Sequence, residues 1–162
     1  MTRYLTLSVL ILSFVFTGCG VYTFSPKGKS DIKSVAVERF ENQTAEYGLE
    51  DRMTDQIIDA FIADGALKVL SPEYADALLI GTLTSYLRKP YRYDENDQVQ
   101  SYSVTMGFDI TLRNPADDTE IWKEKVSQIG IYDIETQTEE DGQQAAIDLL
   151  IEAIINRTTK SW

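Results

Sequence analysis

The chain of 162 residues contains no histidine and a single cysteine, Cys19. Without imidazole, histidine-based proton transfer, Ser-His and Cys-His nucleophile pairs and imidazole metal ligation are excluded. Zinc loses its usual nitrogen ligand for the same reason. One thiol closes no intramolecular disulfide, so packing alone must hold the fold. Positive charge is scarce as well: 15 Lys and Arg stand against 26 Asp and Glu, a net charge of −11. Such a surface repels phosphate backbones and anionic headgroups, which argues against nucleic-acid binding and against broad electrostatic adhesion to membranes. The sequence also has no glycine-rich phosphate loop, no internal repeat and no apolar run long enough to span a bilayer.

What is present begins at the N-terminus. Arg3, an apolar run from Leu5 to Phe16 and the small residues Thr17 and Gly18 have the order of an export signal. Cys19 follows where a lipoprotein signal peptidase would cut and the thiol would carry a diacylglyceryl group. Phe16 stands where such a box usually has Leu, which preserves the apolar character. The chain therefore divides into a lipoprotein signal peptide at 1–18, the lipidated cysteine and a tether at 19–33, and one domain at 34–162. Removal of Arg3 with the signal makes the net charge −12. Acyl chains, at about 0.8 kcal/mol per buried methylene, then supply the anchoring that charge does not. Gly20, rather than Asp, after the cysteine points to the outer membrane by the sorting habit of lipoproteins.

Beyond the tether, with Pro26 and Gly28, hydrophobic periodicity organises the domain. Ser34 to Phe40 alternates as a first strand, and Asn42-Gln43-Thr44 breaks it. Leu49, Met53, Ile57, Ala60 and Phe61 recur at helical spacing, with Glu50, Asp51 and Asp55 in the early turns and Asp64-Gly65 at the close. Leu67 to Leu70 is a short strand and Ala77 to Leu87 a longer one, followed by a turn region from Arg88 to Gln98. Ser101 to Arg113 carries the clearest period: Tyr102, Val104, Met106, Phe108, Ile110 and Leu112 share one face. A turn at 114–118 leads into a returning strand from Glu120 to Tyr132. The last helix, about Gly142 to Lys160, has an apolar arc of roughly 240 degrees. Either it lies in a groove of its own sheet, or part of the arc, with Ile151 and Ile155, meets a partner protein. The predicted fold is an α+β two-layer sandwich, two helices packed on one face of a mostly antiparallel four- to five-stranded sheet.

No catalytic or metal constellation emerges. In the Asp94 to Gln98 run, Val99 occupies the glycine position of a calcium loop and Thr105 its bidentate glutamate position, so a hairpin turn is the better reading. Ser30-Asp31-Ile32-Lys33 matches S-x-x-K only by chance, without the K-T-G partner. Glu139-Glu140-Asp141 fits a helix N-terminus electrostatically. The densest basic cluster is Arg88, Lys89 and Arg92, beside Tyr91 and Tyr93.

A series of short motifs runs through the mature chain: Cys19-Gly20 with Tyr22 and Phe24; Val37, Phe40, Asn42 and Thr44 as V-x-x-F-x-N-x-T; Ala75-Asp76-Ala77 with Leu79 and Gly81; Tyr86; Pro90 to Asp94; Tyr102-Ser103-Val104; and Trp122. Their order resembles the LptE family of lipopolysaccharide-assembly lipoproteins. The resemblance implies a non-enzymatic domain without cofactor or metal, seated in the lumen of the LptD-type outer-membrane β-barrel to assist lipopolysaccharide delivery. Contact with lipopolysaccharide phosphates would fall on Arg88, Lys89 and Arg92. Two other classes stay open: a different envelope module, either a periplasmic lipoprotein activator of peptidoglycan synthases or a secretion-pore lipoprotein, both of which also open with F-x-N-x-T, and a carboxylate-only enzyme such as a glycosidase.

Overall fold

The computed structural model describes residues 32–160. The expected signal peptide, Cys19 and most of the expected tether lie outside the described residues. The chain forms β1 (Ser34–Val37), β2 (Glu41–Asn42), α1 (Leu49–Asp64), β3 (Lys68–Val69), β4 (Ala77–Tyr93), β5 (Val99–Arg113), β6 (Glu120–Asp133) and α2 (Glu139–Ile155). A π-helical turn at Asn156–Lys160 closes it. The sheet runs β3-β1-β4-β5-β6, with β2 beside β4. The short strands pair in parallel, whereas the long β4-β5 and β5-β6 ladders are antiparallel. The α+β sandwich is as predicted, with one strand more: β2 forms inside the segment read as a break.

Both helices pack on one face of this sheet around a single core. Leu49, Met53, Ile57 and Phe61 of α1 and Ala146, Ile147, Leu150 and Ile154 of α2 meet Leu79, Leu83, Val104, Met106, Phe108, Ile110 and Leu112 there. Strand alternation decides which side of β5 enters this core, since successive side chains point to opposite faces. At the end of α1, Gly65 adopts φ 67° and its N–H donates to the Phe61 carbonyl at 3.1 Å. A Cβ would be strained in that left-handed conformation, which is why glycine ends the helix. α2 starts a turn earlier than its apolar pattern indicates. The Thr138 N–H and hydroxyl both donate to the Asp141 carboxylate, at 2.7 and 3.0 Å, so the acidic run belongs to the first turn.

The larger departure from the pattern lies in β4. Residues 88–93, read as turn, continue the strand, with Arg88 opposite Val104 and Tyr93 opposite Val99. Only 94–98 turns: Asp94 accepts the N–H groups of Asn96 and Gln98, both at 2.8 Å, and Asp97 takes φ 61°. Basic, aromatic and proline side chains gave this stretch no apolar alternation, because most of it is exposed. Pairing with β5, a tertiary contact, holds it extended. The result is a three-stranded ribbon that runs on past the shorter strands.

Candidate functional site at the far end of the ribbon

Strand alternation splits the basic cluster that the sequence places together. Arg88 lies on the helix-covered face, opposite Val104, while Lys89 pairs with Ser103 and Arg92 with Ser101 on the bare face. The three cations therefore do not form one patch.

Arg88 is engaged within the domain. Its guanidinium lies 3.6 Å from the Tyr102 ring centroid, its Nε donates to the Tyr132 hydroxyl at 2.5 Å, and Glu139 sits 3.2 Å away. Tyr102 and Tyr132 stack with centroids 5.8 Å apart. The hydrogen bond to Tyr132 and the nearby carboxylate raise the Arg88 pKa further above its ordinary value. Next to it, the Tyr86 hydroxyl donates to Glu139 at 2.6 Å and accepts from Gln143 at 3.0 Å. Burial, reinforced by Glu139, pushes the Tyr86 phenol up, so it stays protonated and donates. Gln143 in turn accepts from Arg52 of α1 at 2.8 Å. This chain of contacts ties α1, the start of α2 and the ribbon together, and the charge of Arg88 serves it.

Lys89 and Arg92 stand on a surface of different character. Arg92 lies 3.6 Å from Asp133, and no ion pair holds Lys89 among the described residues. The cross-strand rows Leu87, Thr105, Ile129 and Lys89, Ser103, Ile131 lie next to each other. Leu87, Ile129 and Ile131 are 46%, 52% and 42% exposed, an apolar strip flanked by Lys89 and Arg92. Farther along, Lys123 and Lys125 face the same way, Lys125 holding Asp109 at 2.9 Å. The helix layer is the electrostatic opposite. Glu50, Asp51, Asp55, Asp59, Asp64, Glu139, Glu140, Asp141, Asp148 and Glu152 stand against Arg52 alone. Each helix is thus strongly acidic, whereas the bare sheet face carries Lys89, Arg92, Lys123 and Lys125.

Ile151 and Ile155 are half-buried and pack on the domain's own core, while Leu149 is the exposed apolar residue of α2. The helix fills a groove of its own sheet with most of its wide arc. At its far end, an apolar cleft lined by Ile110, Trp122, Val126, Leu150 and Ile154 holds about 10 Å³. That is room for one water and far too little for an acyl chain. An amphiphile's chain therefore finds no seat in that cleft.

The short motifs turn out to be architecture. Phe40 is buried against Gly81, where an added Cβ would come within 2.0 Å of its ring. Asn42 spends every polar group locally: its amide donates to the Glu46 carbonyl and to Glu50, and its oxygen accepts from the N–H and hydroxyl of Thr44. In Ala75-Asp76-Ala77, the Asp76 carboxylate accepts from the Lys33 N–H at 3.0 Å and the Ser34 hydroxyl at 2.7 Å, pinning β1 to the start of β4. Those bonds, led by Ser34, hold Asp76 below the usual carboxylate range.

The family model for lipopolysaccharide assembly, LptE, matches residues 32–158. The chain belongs to the LptE family. No curated protein matches it. Among solved structures, its fold is similar to that of a hypothetical protein from Chlamydia trachomatis at TM-score 0.59 and 10% identity, covering 79% of this chain and 96% of that one. PelC from Paraburkholderia phytofirmans, solved as a dodecamer, aligns at TM-score 0.53 and 16% identity over 80% and 88% of the two chains. A minor lipoprotein from Acinetobacter baumannii gives 0.53 and 14% over 80% and 94%. At these identities the likeness is one of fold. The exposed strip beside Lys89 and Arg92 had no signal of its own in the sequence, since Leu87, Ile129 and Ile131 are far apart until the register brings them together.

Proposed function

We propose that this LptE-family chain is an outer-membrane lipoprotein, anchored through Cys19, that sits in and assists an LptD-type β-barrel during lipopolysaccharide assembly. The observation that carries this reading is the family match across the whole described domain. The order Arg3, apolar run, Thr17-Gly18-Cys19 supports the lipid anchor. The domain acts by binding rather than by catalysis. Lipopolysaccharide meets the bare face, where Lys89 and Arg92 take phosphate and Leu87, Ile129 and Ile131 take acyl or sugar surface, while Arg88 keeps the ribbon and α2 in place. Leu149, with the exposed parts of Ile151 and Ile155, adds apolar contact to the barrel.

The test is recovery of the barrel from detergent-solubilised membranes by the full chain. Wild type brings down a transmembrane β-barrel; Cys19→Ser abolishes labelling by a fatty-acid analogue. Lys89→Glu with Arg92→Glu weakens lipopolysaccharide binding, each lost contact by about 1.5 to 3 kcal/mol. Recovery of a peptidoglycan synthase or a homomeric ring instead of a barrel would overturn the reading.

A further inference from the structure

The ribbon of β4, β5 and β6 ends the sheet on two sides, and its two edges are built differently. Beyond Leu83, no described strand pairs with β4 opposite β5. That edge carries register shifts at Leu83/Ser85, Pro90/Arg92 and Arg92/Tyr93, a proline without an N–H, and the charges of Arg88, Lys89 and Arg92. Bulges, proline and charge are the means by which proteins keep an edge from pairing with another chain.

β6 lacks the bulges and the proline of this defence and keeps basic charge only at one end, at Lys123 and Lys125. Its ladder with β5 runs without a shift from Asp133 opposite Ser101 to Trp122 opposite Leu112, and it contains no proline. Among the described residues no strand covers its other side. The Ile134 N–H donates to the Gln100 carbonyl at 3.0 Å, which makes that pair a hydrogen-bonded one. Antiparallel ladders alternate, so Tyr132, Gly130, Gln128 and Val126 bond to β5, whereas Ile131, Ile129, Ser127 and Lys125 turn their N–H and C=O groups outward. The same residues put their side chains on the bare face. One half of the edge is apolar, at Ile129 and Ile131, and the other is basic, at Lys123 and Lys125. Lys123 has no ion pair among the described residues.

We propose that the outer edge of β6 accepts an added β-strand from the partner barrel: an extended segment, apolar where it meets Ile129 and Ile131 and acidic where it meets Lys123 and Lys125. The inference rests on the barrel reading above and names the surface that makes the contact. Main-chain pairing supplies the binding, and the cross-strand contacts set the register. Charge selects this face for an acidic segment, because the helix layer would repel it.

The experiment is hydrogen exchange on the full chain, alone and in the barrel complex. The Ser127 and Ile129 amides exchange about tenfold slower, or more, in the complex, and Ser127→Pro or Ile129→Pro lowers barrel recovery by about tenfold, the worth of a lost hydrogen bond. Those N–H groups do not serve the β5 ladder, so melting temperatures stay within a few degrees, and Lys123→Glu with Lys125→Glu weakens recovery with the backbone untouched. Unchanged exchange at both amides in a complex that wild type does form overturns the edge proposal and leaves the barrel reading standing. Wild type that recovers no barrel overturns the barrel reading itself. Protection that appears without barrel and grows with protein concentration overturns this occupant in favour of a second copy.

Discussion

The two faces of β5 are made by one run of fifteen residues and have opposite fates. Val104, Met106, Phe108, Ile110 and Leu112 are buried beneath the helices, while Ser103, Thr105, Asp109 and Thr111, between them, keep partial exposure. The first set can be read from hydrophobicity because it holds the domain together. The second, with the neighbouring faces of β4 and β6, is where polar, basic and apolar side chains mix without regard to the core. The surface available to ligands and partners here is the one that folding leaves free.

Phe108→Ala would sharpen that contrast most. Phe108 is 1% exposed in the middle of the core, so truncation leaves a cavity and costs about 3 to 5 kcal/mol, read by urea or thermal unfolding. Thr105→Ala, three residues away on the other face, changes stability by less than about 0.5 kcal/mol. Equal losses at the two sites would show that both faces of β5 bear the fold alike. Gly130→Ala comes next. A Cβ there would lie 1.8 Å from the Gly142 carbonyl oxygen, a backbone atom, so α2 must shift off β6 at a cost of about 1 to 3 kcal/mol. Faster amide exchange in the first turns of α2 would mark where the damage falls.

Arg88→Met is smaller again, about 1 to 2 kcal/mol for the lost ring and carboxylate contacts, whereas Lys89→Met on the bare face leaves stability unchanged. The smallest effect is one of pH. Asp76, bonded to Ser34 and Lys33, and Asp141, bonded to Thr138, both have lowered pKa values in the folded state. Their contribution is therefore present above the unfolded carboxylate range of about 4 and is lost as pH falls through the lower folded values. Acid titration of Asp76→Asn should show a shallower fall in melting temperature than wild type; an identical profile would remove Asp76 from the account.

Much of the fold was legible in the sequence for identifiable reasons. The spacing of Leu49, Met53, Ile57 and Phe61 specifies a one-faced helix, Gly65 ends it, and the alternation from Tyr102 to Leu112 specifies a strand with one dry side. The end of β4 was not legible, since Arg88 to Tyr93 has neither a dry face nor a turn composition, and only β5 makes it a strand. The start of α2 was hidden for a related reason: its first turn is acidic and wet, and its evidence is the bond pattern between Thr138 and Asp141.

The candidate site divides along the same line. Residue types alone excluded histidine chemistry, made Cys19 the candidate for lipidation and assembled the order of motifs that the family match covers from residue 32 onward. Only the tertiary structure decided that Arg88 turns inward to Tyr102 and Glu139 while Lys89 and Arg92 face outward, and that Leu87, Ile129 and Ile131 form one strip. Local composition and periodicity act over a few residues, and a sequence displays them directly. Which face a cation takes, and which distant side chains it meets there, depends on strand register, and register is set by pairing between segments far apart in the chain.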